Sequence, residues 1–153
     1  MRMTTKGRYG LRAVVNLASR ESDEPVPLSS IAREEGISTQ FLEQIFFALK
    51  KAGVVASVRG PKGGFVLARD ASDIDLRQIL LAVDESLFVV PCTQDADEPV
   101  CSRKPDCPTY PVWKELSEIL GEYFGRITIR NLVDNAKRSR GDGGLREAGG
   151  TTP

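Results

Sequence analysis

Three cysteines, the only thiols of the chain, lie close together in the stretch PCTQDADEPVCSRKPDCPTY at residues 91–110. Eight residues separate Cys92 from Cys101, five separate Cys101 from Cys107, and the sequence contains no histidine. Three cysteines are too few, and odd in number, to form a disulfide framework. Because thiolates bind soft metals and react with oxidants, the loop is a candidate site for metal binding or redox sensing.

The available donors narrow what this loop can do. Structural zinc takes four protein ligands, and the chain has neither a histidine nor a CxxC pair to complete a tetrahedron, which disfavours zinc. We also predict that the protein is not an enzyme, because it lacks a CxxC redox pair, a histidine base and a glycine-rich nucleotide loop. Free thiols, or one disulfide formed on oxidation, stay open as alternatives to a metal site.

Composition and charge set the class of protein. No apolar run approaches the roughly 20 residues that span a bilayer, and MRMTTKGRYG lacks the apolar part of a signal peptide, so the sequence predicts a cytoplasmic protein without a membrane partner. The net charge is zero, but residues 1–70 carry 11 Lys/Arg against 7 Asp/Glu, whereas residues 71–110 carry 3 against 8. A modestly basic module therefore precedes an acidic loop, which does not by itself establish nucleic-acid binding.

Three helices are predicted in the basic module. TTKGRYGLRAVVNLASR predicts a helix capped by Thr4 or Thr5. LSSIAREEG predicts a short helix ended by Gly36, and STQFLEQIFFALKKAG a longer one capped by Ser38 and ended by Gly53. Two helices joined by a tight glycine turn make a helix-turn-helix. The expected apolar stripe of the first helix consists of Leu11, Val14, Val15 and Ala18.

The third predicted helix has an apolar face and a polar face. Its apolar face consists of Leu42, Ile45, Phe46 and Leu49. The cap and the outward-facing residues of its N-terminal half are Ser38, Thr39, Gln40, Glu43 and Gln44. Glutamine can pair with adenine through two hydrogen bonds, and glutamate can accept one from the cytosine amino group. We therefore predict that this face contacts DNA, with an ordinary solvated face as the alternative.

A hairpin with a cationic tip follows this helix. VVASVRGPKGGFVLA predicts two strands joined by a glycine-rich turn that carries Arg59 and Lys62. Such a wing can place Arg59 in the minor groove, beside the major groove that the preceding helix enters. A solvated turn is the alternative. Together these elements predict a winged helix-turn-helix that binds double-stranded DNA.

The C-terminal part contains a second amphipathic pattern. DASDIDLRQILLAVDES predicts a helix capped by Asp75, and PVWKELSEILGEYFGRI a long helix with Pro111 in its first turn. A small domain has little core left for the apolar stripe of this long helix, so we predict that it pairs with a second copy in a homodimer. Thr128 is expected to cap a last short helix.

The predicted fold is therefore mainly α with a small β wing. It consists of a winged helix-turn-helix domain at 1–85, a cysteine loop at 86–110, a dimerisation helix and a short helix at 111–136, and a disordered tail at 137–153.

These motifs resemble the IscR-type bacterial regulators, a family of winged-helix transcription factors that includes the nitric-oxide sensor NsrR and the cysteine regulator CymR. The matching stretches are MRMTTKGRYGLRA, VPLSSIAREEGISTQFLEQIF, SVRGPKGGFVLARDASDI and AVDES. VRGPKGG after FLEQIF is closer to the IscR members than to NsrR or CymR. The resemblance implies that Gln40, Glu43 and Gln44 contact DNA from the recognition helix and that Arg59 enters the minor groove.

The resemblance also implies a cofactor. In that family a [2Fe-2S] cluster lies in the loop after AVDES, held by three cysteines and a histidine. The implied ligands in this chain are Cys92, Cys101 and Cys107, but Tyr110 stands where the family has its histidine. Candidates for the fourth ligand are Tyr110, a carboxylate of a partner chain, an external thiol, and the loop carboxylates Asp95, Asp97, Glu98 and Asp106. A [4Fe-4S] cluster with one open or oxygen-ligated iron is the alternative to [2Fe-2S].

The function that follows from the resemblance is a DNA-binding regulator that senses its cluster and controls iron-sulfur cluster biogenesis or related stress genes. Two alternatives keep the fold: a cluster-free thiol-redox or metabolite-responsive repressor, and a nitric-oxide sensor. We further expect Glu43 to decide which operators are tolerated, because a carboxylate beside phosphates or the wrong base is repelled.

Overall fold

The computed structural model describes residues 3–20, 24–94 and 101–143. Within these residues the chain forms six α-helices and one two-stranded antiparallel sheet, which confirms the predicted fold class. The elements are α1 (Thr5–Ala18), α2 (Leu28–Glu35), α3 (Thr39–Lys51), β1 (Val55–Val58), β2 (Gly64–Leu67), α4 (Leu76–Ala82), α5 (Tyr110–Arg126) and α6 (Ile129–Gly143). In the part of the chain described, none of these helices is long and apolar enough to cross a membrane.

Side chains cap the starts of α1, α3, α4 and α6 at the predicted positions. The Thr4 hydroxyl accepts a hydrogen bond from the Gly7 amide at 3.1 Å, so Thr4 rather than Thr5 caps α1. Ser38 caps α3 by accepting from the Phe41 amide at 3.2 Å, and Asp75 and Thr128 cap α4 and α6 in the same way. Each cap satisfies an amide that the first helical turn leaves without a partner.

The core is built around α3. Its predicted apolar face is fully buried, which confirms that part of the interpretation. The stripe predicted for α1 is only partly correct, because Val14 is buried whereas Leu11, Val15 and Ala18 are half-buried. The buried face of α1 is centred on smaller residues, Gly7, Gly10, Ala13, Val14 and Leu17. Small side chains allow α4 to approach closely, and a Cβ on Gly10 would lie 3.3 Å from a Val83 methyl carbon.

The hairpin is fastened to the helical body. Val55 pairs with Leu67 and Val58 with Gly64, and a further bridge joins Val26, which precedes α2, to Phe65. The Phe65 ring packs edge-to-face on Phe46 of α3, with 5.0 Å between the ring centroids. The wing therefore has a fixed position relative to α3.

The helix α6 is longer than the sequence predicted. Residues 137–143, assigned to a disordered tail, are helical, and residues 144–153 lie outside the described residues. The start of α6 joins the core, because Ile129 is fully buried and its amide donates to the Ile74 carbonyl oxygen at 2.8 Å. The chain therefore returns to the N-terminal domain after α5.

A buried carboxylate holds the start of α1. Glu85, which follows α4, is only 4% exposed and accepts hydrogen bonds from the Thr4 amide, at 3.0 Å, and from the Thr4 hydroxyl. The positive end of a helix dipole favours a carboxylate at this place. Gly7 makes the approach possible, because a Cβ there would lie 2.4 Å from a Glu85 carboxylate oxygen.

We therefore expect Gly7→Ala to lower the free energy of unfolding by about 1–3 kcal/mol, because the added methyl group displaces a buried, hydrogen-bonded carboxylate. Gly121→Ala in α5 is the matched control, since an added Cβ there meets no atom within 4 Å. Because alanine has a higher helix propensity than glycine, Gly121→Ala should stabilise the protein by about 0.5–1 kcal/mol. Urea unfolding at one protein concentration compares the two variants, and equal stabilisation would contradict this role of Gly7.

Candidate nucleic-acid interface and cysteine site

One face of α3 is polar and exposed. Every residue predicted to contact DNA from this helix, Ser38, Thr39, Gln40, Glu43 and Gln44, is exposed. The opposite face is locked in the core, and the Ser38 cap fixes the first turn. The polar side chains therefore project from a rigid support, as direct readout of base edges requires. Their contact with DNA stays a prediction.

The wing tip carries its cations outward. Arg59 and Lys62 are exposed and make no ion pair among the residues that the structure describes. Gly60, at φ 123°, adopts a backbone conformation that favours glycine, and its carbonyl accepts from the Gly63 amide at 2.9 Å. Lys50 of α3 donates to the Ser57 hydroxyl of β1 at 2.6 Å. The two predicted DNA-contacting elements are thus connected directly.

Sequence reasoning missed the C-terminal half of the exposed α3 face. Phe47, Lys50 and Lys51 are exposed there, beyond Gln44. The pair Phe46 and Phe47 was an available signal, because adjacent residues in a helix are about 100° apart and do not face the same way.

The cysteine loop is attached to α5. Cys92 lies in the short 3-10 turn Pro91–Thr93, where the Thr93 hydroxyl lies 3.2 Å from that of Ser117. The Val89 amide donates to the same Ser117 hydroxyl at 3.1 Å, and Ser117 is buried. Ser117 thus fixes the first part of the loop on the face of α5 that is turned toward the protein.

The three thiols are free and half-buried. In the described ranges no three potential metal ligands lie together as a group, and Asp95, Asp97 and Glu98 fall outside those ranges. Cys101 and Tyr110 line one shallow cavity together with Ser102, Lys104 and Pro105. The donors fit an iron-sulfur cluster in chemical type, and holding one requires the loop to bring its thiols together.

Cys107 lies next to a hydrogen-bond donor. Its Sγ is 3.3 Å from the Thr109 hydroxyl. The Thr109 side chain, followed by the Thr109 amide, lowers the pKa of the Cys107 thiol because both hydrogen bonds stabilise the thiolate. The thiolate is the form that binds metal and reacts with electrophiles. Cys107 is therefore prepared for either chemistry.

The long helix α5 exposes an apolar stripe. Val112 and Tyr123 are each 58% exposed, Ile119 is 53% exposed, and Leu116 lies between them on the same face. The stripe predicted for this helix was Val112, Leu116, Ile119, Leu120 and Tyr123 or Phe124, and its members are exposed except for Leu120 and Phe124, which are half-buried. Its burial against a second copy stays a prediction.

Comparisons with known proteins agree with this architecture. Residues 3–135 match Rrf2, a family described as iron-dependent transcriptional regulators. The HTH-type transcriptional regulator IscR of Yersinia enterocolitica is 43% identical over 135 residues, which cover 88% of this chain and 80% of that protein. The IscR of Serratia proteamaculans is 42% identical over the same coverage.

Two solved structures resemble the fold closely. The structure of T. potens IscR has a TM-score of 0.72 and 32% sequence identity, covering 98% of this chain and 94% of that one. The structure of CymR, the global cysteine regulator of B. subtilis, has a TM-score of 0.70 and 29% identity, covering 88% and 98%. The likeness therefore extends from the N-terminal domain through α5.

We expect Thr109→Val to slow alkylation of Cys107 by iodoacetamide at pH 7, because the variant keeps the side-chain shape but loses the hydroxyl that stabilises the thiolate. The difference should disappear well above pH 9, where an ordinary thiol is ionised as well. Mass spectrometry of the metal-free protein can follow each cysteine separately. Cys92 serves as the internal control, and an equal slowing there, or no slowing at Cys107, would show that Thr109 does not activate Cys107.

Proposed function

The chain belongs to the Rrf2 family of iron-dependent transcriptional regulators, and on that premise we propose that it is a homodimeric DNA-binding regulator whose cysteine loop holds an iron-sulfur cluster. The observation that carries the proposal is the rigid polar face of α3 beside an unpaired cationic wing tip, considering the described residues. This arrangement suits simultaneous contact with a major groove and the adjacent minor groove.

We assign the contacts with base edges to α3, and the minor-groove and phosphate contacts to the wing tip. Gln40 and Gln44 have the functional groups that recognise adenine, and Glu43 can accept from cytosine. Arg59 at the wing tip fits a narrow minor groove, which concentrates negative potential. Lys62 supplies a phosphate contact that is independent of sequence.

A dimer is proposed through α5. The stripe of Val112, Leu116, Ile119 and Tyr123 is exposed in the single chain, and a contiguous apolar surface of this kind is stabilised when a second copy covers it. Two-fold symmetry would present two copies of α3 to two half-sites, with centres about one helical turn apart. We therefore expect an inverted-repeat operator.

The proposed cluster ligands are Cys92, Cys101 and Cys107, with [2Fe-2S] as the preferred type. When bound, such a cluster supplies a group that oxidants can change or remove. Tyr110 is the proposed fourth ligand on two observations: it follows Cys107 by three residues, and it lines the same cavity as Cys101. The Lys104 ammonium, 5.0 Å from the centroid of the Tyr110 ring, stacks on that side chain.

Two attachments near the start of the cysteine loop offer a physical route from the cluster to DNA. Glu85, just before the loop, binds the start of α1, and α1 packs on α3. Inside the loop, Thr93 is attached to Ser117 of α5. A loop that closes around a ligand would pull on both attachments, and so alter the position of α3 within the dimer. Control of iron-sulfur biogenesis or related stress genes is the regulatory role that we propose.

A cluster-free thiol regulator is the second candidate. Two observations favour it: Thr109 lowers the pKa of the Cys107 thiol, and the fold matches the structure of CymR, the global cysteine regulator of B. subtilis. In that case oxidation of the thiols would replace cluster occupancy as the signal.

Anaerobic purification tests the cluster. We expect a coloured protein with iron and acid-labile sulfide in equal amounts, and loss of both in Cys101→Ser. Tyr110→Phe tests whether the Tyr110 hydroxyl is the fourth ligand, because the variant keeps the ring and removes only the hydroxyl. Tyr110→His, which restores the histidine of the resembling family, should retain the cluster. Colourless wild-type protein without iron would exclude the cluster and leave the thiol regulator.

Glu43→Ala tests the recognition helix. We expect operators that the wild-type protein rejects to gain about tenfold in affinity, because the variant no longer places a carboxylate against an unsuitable base. Glu118→Ala, which removes the same charge from the exposed surface of α5, should leave relative affinities unchanged. Fluorescence anisotropy at fixed salt concentration, with and without cluster, measures both variants. Unchanged ratios for Glu43→Ala would remove Glu43 from operator selection.

A further inference from the structure

Phe47 is an unusually exposed aromatic residue. Its exposed fraction, 70%, is the highest among the exposed large hydrophobic residues of the described chain. Its neighbour Phe46 is fully buried and packs on Phe65, so it is Phe46, and not Phe47, that contributes its ring to the core. Keeping an exposed phenyl ring in water forgoes the free energy that burial would give it. The position therefore suggests a partner outside the single chain.

The helical geometry places Phe47 among the predicted base-reading residues. At about 100° per residue, Phe47 points roughly 150° away from the centre of the buried α3 face. It shares the outward face with Gln40, Glu43 and Gln44, at the spacing i, i+3, i+4 and i+7. A recognition helix in the major groove can use four side chains at this spacing to reach base edges.

The surrounding charge identifies the partner as DNA. Lys50 and Lys51 follow Phe47 by one turn and are both exposed, and the cationic wing tip directly follows the strand that Lys50 contacts. An apolar side chain bordered by cations fits a groove lined by phosphates better than the apolar face of a protein.

In the major groove only one base edge offers an apolar group, the C5-methyl of thymine. Seven residues of helix rise about 10.5 Å from Gln40 to Phe47, which corresponds to about three base pairs. We propose that Phe47 is a specificity residue that contacts a thymine methyl group about three base pairs from the base read by Gln40. This inference rests on the proposed DNA-binding function and assigns it an additional base position.

Thymine-to-uracil replacement isolates this contact, because it removes the C5-methyl group and leaves base pairing intact. Operators are first selected from random duplexes with the full-length wild-type protein, and each thymine is then replaced singly by uracil. We expect one replacement in each half-site to weaken binding about fourfold, the value of one buried methyl group. Phe47→Ala should weaken binding to the thymine operator and show no further loss with uracil.

Two controls define the contact. Phe47→Leu keeps an apolar side chain at this position and should retain sensitivity to the methyl group. In a second control the critical A·T pair is replaced by a G·C pair whose cytosine stands in the place of thymine. The duplex with 5-methylcytosine should bind the wild-type protein more tightly than the duplex with plain cytosine, whereas Phe47→Ala should bind both equally. Because Phe47 is exposed, circular dichroism should show unchanged folding of both variants.

The outcomes separate this inference from the proposed function. Operator binding that is equally sensitive to uracil in wild-type protein and Phe47→Ala would overturn the role of Phe47 and leave the DNA-binding function standing. Phe47→Ala that instead changes the oligomeric state, measured by sedimentation, would overturn it in favour of a contact between copies. Failure of the wild-type protein to select any operator would overturn the proposed function and this inference with it.

Discussion

The burial of one face of α3 is the constraint on which the rest of the structure depends. Leu42, Ile45, Phe46 and Leu49 are in the centre of the core, and their burial fixes the rotation of the helix about its axis. The same rotation determines which residues face outward. Helices α1, α2 and α4 and the hairpin pack around this buried face, so the core and the proposed reading surface are two sides of one element.

The connection between the cysteine loop and α3 depends on close approach between backbone and carboxylate. Glu85 accepts hydrogen bonds from the N-cap residue of α1, Thr4, and it can approach because Gly7 has no side chain. A buried carboxylate with two hydrogen bonds resists displacement, since leaving its donors unpaired in the interior is costly. The start of the loop is therefore fixed on the DNA-binding domain, whereas Thr93 is fixed on α5 through Ser117. A conformational change within the loop can therefore be transmitted both to α1 and to α5.

Much of this architecture was predictable from local chemistry. Ser38, Asp75 and Thr128 are good capping residues that precede strong apolar periodicity, and the glycines at the wing tip mark a turn, so helix starts and the hairpin follow from short-range rules. The face of α1 did not follow, because periodicity weights large apolar side chains and the close packing occurs at Gly7 and Gly10. Its position depends on tertiary contacts that no local pattern contains.

The candidate sites also differ in how far local sequence patterns predict them. The exposure of Gln40 and Gln44 follows from the helix period, whereas the arrangement of the thiols depends on a loop whose course the caps and periodicity do not determine. The polar residues of α3 were identified because their chemistry is recognisable in isolation. Phe47 was not, because a phenylalanine in a helix is ordinarily core, and only its 70% exposure beside a buried Phe46 distinguishes it. If Phe47 reads a thymine methyl group as proposed, the recognition surface includes an apolar side chain, and the methyl group is the feature of DNA that gives such a residue specificity.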